Sequence, residues 1–203
     1  MKVSNLVKSV VLGLALTSTI SFADTYQLSP KSSEIEWQGS KVIGDSHKGN
    51  LQFSSGSLNY EGNKPKSAVF VVDMMSLTNT DLKDKEWNDK LVGHLKSDDF
   101  FSVAKYPEAK LVINEFKSVD NSKYKAEGVL TVKGKSEPVS IDLEIGEASK
   151  GGLTLSSNFS FDRTDFDVRY GSGKFFENLG DKMISDDVKI KTKAVLNKKV
   201  NKS

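Results

Sequence analysis

The chain has 203 residues, a formal net charge of +2 and no cysteine. Its length fits one domain plus processing segments, long enough to bury a core without covalent staples. The missing cysteines exclude disulfides, thiol catalysis and thiolate metal sites. With Arg163 and Arg169 as its only arginines, the chain also lacks the electrostatic footprint of a nucleic-acid binder.

The N-terminus reads as a secretory leader. Lys2 and Lys8 give a positive start, Val10, Val11, Leu12, Leu14, Ala15 and Leu16 a short apolar run, and Ser21-Phe22-Ala23 small residues at −3 and −1. The run is too short to span a bilayer comfortably. The expectation is a signal peptide over residues 1–23, cleavage after Ala23, and a mature chain in the periplasm with no membrane span. A retained N-terminal anchor is the alternative. The 29 basic residues less Lys2 and Lys8 leave 27 against 27 acidic, so the mature chain is neutral.

Strand-period alternation dominates the rest of the chain. A short candidate lies at Thr25–Leu28. Ile35 and Trp37 then alternate with Glu34, Glu36 and Gln38, and two more short candidates lie at Leu51–Phe53 and Leu58–Tyr60. Ala68, Phe70, Val72 and Met74 share one parity against Ser67 and Asp73. Between Thr78 and Pro107 the period changes. Trp87, Leu91 and Leu95 at i, i+4 and i+8 predict one amphipathic helix over about 83–96, with Gly93 as a weak point.

Strands resume with Leu111 and Ile113, then Tyr124, Ala126, Gly128, Leu130 and Val132. Val139, Ile141, Leu143 and Ile145 form the next dry face, followed by Leu153, Leu155, Phe159 and Phe161. A stretch about 171–186 reads as a loop with a short helix. Val188, Ile190, Ala194 and Leu196 make a last strand, and residues 197–203 a frayed basic tail. Each strand has one wet and one dry face, and turn signals such as Asp120-Asn121-Ser122 and Lys133-Gly134-Lys135 separate them. This is the pattern of an antiparallel barrel or sandwich rather than a parallel sheet buried on both faces.

No catalytic constellation stands out. His47 and His94 lack metal-type spacing, and no serine sits in a Gly-x-Ser-x-Gly elbow. Gly171-Ser172-Gly173-Lys174 lacks the strand and spacing of a phosphate loop, and Asp98-Asp99 and Asp186-Asp187 read as solvated or helix-capping charges. The run Asp162–Gly171 holds both arginines among carboxylates. It reads as a structural ion-pair cluster of Asp162, Arg163, Asp165 and Arg169 that pins a loop. No catalytic residue, metal or cofactor is assigned. The inward aromatic and apolar set includes Trp37, Phe53, Phe70, Met74, Tyr124, Phe159 and Phe161. Periodicity leaves open whether it fills the barrel or lines a hollow.

Three stretches carry a resemblance. They are Trp37-Gln38-Gly39-Ser40-Lys41-Val42-Ile43-Gly44 with His47-Lys48-Gly49; the long motif from Lys90 to Pro107; and Gly128–Lys135 with Asp162-Arg163-Thr164 and Tyr170-Gly171. Over Asp24–Leu196 the chain resembles the YceI-like family of periplasmic, polyisoprenoid-binding, lipocalin-like proteins. Ser102 departs from the long motif, in which aspartate is more usual. The resemblance implies an all-β fold, a closed antiparallel eight-stranded barrel with one helix in the long excursion. It also implies a non-enzymatic role, with an apolar tunnel holding a long isoprenoid, an isoprenoid quinone-like molecule or a fatty-acid derivative. Motif residues near the tunnel or its mouth are Trp37, His94, Leu95, Phe100 and Phe101, and the segment His94–Phe101 is the expected gate. Strand and helix parity adds Phe53, Phe70, Val72, Met74, Leu91, Leu111, Ile113, Leu130, Ile141, Phe159 and Phe161 to the lipid-facing set. A homodimer is left open. The competing readings are an enzyme acting on a bound lipid through His94 or Asp98, and a filled structural barrel.

Overall fold

The computed structural model describes residues 23–62 and 64–199. The expected signal peptide, but for Ala23, and the last four residues lie outside the described residues. The elements in order are β1 (Ala23–Leu28), β2 (Glu34–Ser40), β3 (Ser46–Glu61), β4 (Lys64–Asp73), α1 (Lys85–Lys96), β5 (Glu108–Ser118), β6 (Lys123–Val132), β7 (Lys135–Ala148), β8 (Gly152–Asp162) and β9 (Asp187–Lys198). Every pairing is antiparallel, and the pairing of β3 with β4 closes the sheet on itself. Closure removes the exposed edges that an open sheet of this size leaves.

Nine strands occupy eight positions. β1 pairs with the far half of β3 and the end of β9, whereas β2 pairs with the near half of β3 and the middle of β9. The two are pieces of one stave, interrupted by a 3-10 turn at Pro30–Ser32. Among the described residues the architecture is therefore the closed eight-position barrel with one α-helix.

Several local expectations need correction. Leu51–Phe53 and Leu58–Tyr60 belong to a single long strand, whose register shifts between Phe53 and Ser55. Such a bulge adds one residue and disguises a continuous strand as two. The helix starts at Lys85 rather than Lys83, because the Asp84 carboxylate accepts from the amides of Glu86 and Trp87 at 2.9 and 3.1 Å. Gly93 does not stop it. Asn197 and Lys198 are not frayed: they pair with Gln27 and Tyr26 of β1, and Lys198 Nζ meets Asp24 Oδ2 at 2.6 Å.

The two ends of the barrel differ. At one end lie the short turns β3–β4, β5–β6 and β7–β8. There Leu58, Ala68, Ala126 and Leu196 are almost wholly buried, with Tyr26, Leu28, Tyr60, Phe116, Tyr124 and Leu153 packed against them. Tyr124, expected among the interior aromatics, belongs to this plug. Burial pushes the Tyr60 hydroxyl up to about 12, helped by Tyr124 and Tyr26. The other end carries the long connections β2–β3, the excursion with α1 and β8–β9, together with the two-residue turn Lys133–Gly134 between β6 and β7.

One side of the wall opens. β7 and β8 pair only over Leu143–Ala148 against Gly152–Ser157. Beyond that point a 3-10 turn at Arg163–Phe166 occupies the space. Its Phe166, 1% exposed, packs edge-on against Phe161 at 5.4 Å. The wedge is thereby sealed by side chains rather than by ladder hydrogen bonds.

Candidate functional site

The barrel is hollow toward the end with the long connections. An apolar cavity of about 480 Å³ runs from that end down to the plug, within the range of small-molecule sites. The structure brings all the residues expected to face a lipid around it. Trp37, Phe53, Phe70, Val72, Met74, Leu111, Ile113, Leu130, Ile141, Phe159 and Phe161 line its wall, and Leu91, His94, Leu95, Phe100 and Phe101 its mouth. Ile35, Leu143, Leu155, Val188, Ile190 and Ala194 complete the wall; all had the inward parity. Sequence reasoning missed Ser157 and Thr192, which hold inward positions but are polar. It also missed the rim residues Lys41, Asp45, His47, Tyr170, Lys182 and Ile184. These sit in connections that only the fold brings together.

The excursion is fastened to β3 by a polar network. Asp81 accepts from the amide of Lys48 at 2.8 Å and lies 2.8 Å from His47 Nδ1. Asn79 donates to Asp81 and to the Lys48 carbonyl, and Asn88 of α1 donates to the Asn79 and Leu82 carbonyls. Burial tends to raise Asp81, but the Lys48 amide, His47 and Asn79 outweigh it and hold the carboxyl below the usual carboxylate range. Trp37 Nε1 donates to the Thr78 carbonyl at 3.0 Å. Gly49, the register partner of Trp37, makes this approach feasible: a Cβ there would sit 1.8 Å from Thr78 O.

α1 lies across the mouth. Leu91, His94 and Leu95 face the cavity, and Trp87 continues the same stripe but is 62% exposed. His94 meets Phe100 and Tyr170 edge-on at 5.0 and 4.7 Å, and Phe100 tilts against Tyr170 at 5.3 Å. His94 Nε2 also lies 3.2 Å from Asp99 Oδ2. An aromatic cluster thus bridges the helix to the β8–β9 connection. The turn after the helix places Ser102 at φ +47°, a left-handed conformation that aspartate and asparagine adopt more readily than serine. Val42, Ile43, Met75, Trp87, Tyr170, Phe175 and Phe176 are exposed on the connections at this end. Among the described residues only Val119 is a large exposed apolar residue at the other.

The expected ion-pair cluster is divided: Arg163 and Asp162 are joined through Asp186 and Lys174, whose ammonium lies 3.8 Å from Asp186 Oδ2, and Arg169 stands apart. Arg163 is 2% exposed and donates to the carbonyls of Ser185, Val168, Tyr170 and Ile184 and to Asp186 Oδ1. Burial pulls its pKa down, and Asp186 and Asp162 oppose that. Asp162 caps Thr164 and pairs with Lys174, while Arg169 pairs with Asp167 at 2.7 Å and lies over the Phe175 ring. Burial works to raise Asp162, but Lys174 and Thr164 hold it below the usual range. Asp165 is exposed and has no ion-pair partner among the described residues. The backbone explains the difference: a planar guanidinium inside a loop satisfies converging carbonyls, and one carboxylate suffices for its charge.

The family model for the YceI-like domain matches residues 26–196. The chain belongs to the YceI-like family. A protein of the UPF0312 group from Pseudomonas savastanoi pv. phaseolicola is 31% identical to this YceI-like chain over 132 residues, 61% of the chain and 64% of the relative. The match thus spans less than two thirds of that relative's length. BcnA of Burkholderia cenocepacia superposes with a TM-score of 0.65 at 26% identity, covering 83% of this chain and 98% of BcnA. A polyisoprenoid binding domain from Saccharophagus degradans, implicated in plant cell wall breakdown, superposes at 0.63 with 16% identity, over 86% and 98% of the two chains. That last likeness is one of fold.

Proposed function

We propose that this YceI-like protein is a non-enzymatic carrier that shelters an apolar lipid, an isoprenoid or a chain of similar character, inside its barrel. The observation that supports the reading most is the hollow itself: apolar walls, a packed base and one wide mouth. Moving a chain from water into such a bore contributes about 0.8 kcal/mol per CH₂ and desolvates no charge. The polyisoprenoid binding of the Saccharophagus degradans domain agrees with this reading. The leader over residues 1–23 directs the protein to the periplasm, where free lipid of this kind is nearly insoluble.

Native mass spectrometry of protein purified from its own periplasm tests the proposal. A co-purifying apolar mass is expected, and its N-terminus should be Asp24. A clean apo mass, with no uptake of added lipid, refutes the carrier. The His94–Phe101 segment acts as the gate, because its aromatic cluster is what spans the mouth. Replacing Phe100 and Phe101 with alanine speeds exchange of a fluorescent lipid severalfold; an unchanged rate rules out gating.

A further inference from the structure

Apolar side chains that face water surround the mouth. Val42 and Ile43 stand midway along the β2–β3 connection, Phe175 and Phe176 midway along the β8–β9 connection, and Trp87 at the outer end of the α1 stripe. All five are exposed, and none of them lines the cavity. The three points belong to one rim. Val42 donates its amide to the Met183 carbonyl at 2.9 Å, a Cβ on Gly173 would lie 3.0 Å from the Met183 sulfur, and Tyr170 meets His94 of α1 at 4.7 Å. Large apolar side chains gathered on one exposed rim mark a contact surface.

Each point also carries a basic side chain matched by a carboxylate. Lys41, beside Val42, pairs with Asp45 at 3.5 Å. Arg169 lies over the Phe175 ring at 4.7 Å and pairs with Asp167 at 2.7 Å. Lys90 lies over the Trp87 ring at 4.6 Å and pairs with Glu86 at 2.6 Å. Glu177 follows Phe176, and Asp181 precedes Lys182. Charges of both signs around apolar residues complement zwitterionic head groups, which carry both signs themselves. An anionic surface would call for a clear excess of cations. Trp87 and Tyr170 are of the two residue types that favour the head-group level. A protein partner fits less well. To bury all three points it would lie across the mouth and stopper the bore, whereas a bilayer interior is apolar and continuous with it.

Resting on the carrier reading, we propose that the mouth end docks on the face of a zwitterionic phospholipid bilayer. Val42, Ile43, Phe175, Phe176 and Trp87 dip past the head groups, and a lipid passes between bilayer and bore without crossing water. The docking is held by apolar insertion rather than by net charge.

The test sediments protein purified from its periplasm with sucrose-loaded phosphatidylcholine vesicles. The wild type should bind, and binding should persist at high salt, where screened charges no longer attract. Val42→Ser/Ile43→Ser and Phe175→Ser/Phe176→Ser should each lower the partition coefficient about tenfold or more. Val119→Ser, which removes an exposed apolar residue at the closed end, should not. Trp87 emission should shift to the blue on adding vesicles, a change absent from Trp87→Phe because Trp37 is buried. Every variant should still load a fluorescent lipid from cyclodextrin, since no altered residue lines the bore. Undiminished binding by both double variants, or binding that appears only with anionic lipid, overturns the proposal. So does a wild type that loads from cyclodextrin but ignores vesicles; the carrier then stands, and what covers the rim is sought among proteins. A wild type that binds vesicles and loads nothing refutes the carrier reading alone.

Discussion

The closed and open ends of the barrel are built from the same strands with the same alternation, yet one is solid and the other hollow. The difference lies in what the inward positions meet. At the closed end Leu58, Leu196 and the tyrosines of β1, β3 and β6 converge between tight turns and fill the lumen. At the open end the strands run on to long connections, the β7–β8 wall splays, and the inward side chains end at a void spanned by α1. Sheet pairing makes the tube; side-chain size and loop length decide where it is empty.

The contrast predicts unequal costs for equal truncations. Leu58→Ala, in the solid half, should destabilise by about 2–5 kcal/mol. Leu111→Ala, on the cavity wall, should cost about 1 kcal/mol, because its side chain already borders empty space. Chemical denaturation measures both, and similar values would erase the distinction. Next in size is Gly49→Ala. Its Cβ collides with the Thr78 carbonyl, so about 1–3 kcal/mol is lost. Hydrogen exchange should speed at Thr78 and Thr80, whose amides donate to Asn50 and Lys48, and not at the closed end.

Acid should loosen the same half first. Asp81, in the excursion, and Asp162, the mouth-end residue of β8, are held below the usual carboxylate range. A depressed carboxylate contributes stability that is present above its unfolded pKa and lost as pH falls through the folded one, so the loss begins at about pH 4 and grows downward. Among the described residues the lowered carboxylate at the other end, Asp120, is exposed in the β5–β6 turn and holds no cavity wall. Exchange measured from pH 5 to pH 2 should show the excursion deprotected before β3–β4, and Asp81→Asn should flatten that dependence. The smallest effect is a gain: Gly93→Ala, in open space within α1, should stabilise by about 0.5–1 kcal/mol.

The alternation of β4, β6, β7, β8 and β9 made the dry lining legible in the sequence, because a period of two leaves no choice of face. The helix was legible from Trp87, Leu91 and Leu95. What escaped was of two kinds. The bulge in β3 and the shared stave of β1 and β2 depend on cross-strand register, which no local pattern records. The rim of Lys41, His47, Tyr170 and Lys182 depends on which connections the closed barrel brings together, whereas Ser157 and Thr192 hold inward positions that their polarity disguises. Whether the lumen is full or empty escaped for the same reason: it depends on how inward side chains of opposite strands converge once the barrel closes, which no single strand records.

Because the stave made of β1 and β2 is wedged between β3 and β9, the earliest strands of the described chain are neighbours of the latest. Val195 reaches Ser33 Oγ through its amide, and Asp24 meets Lys198, across 162 and 174 positions of sequence. No ring exists until that seam zips, and pairing over such separations is slow. The compartment therefore exists only once the two ends of the described chain have paired.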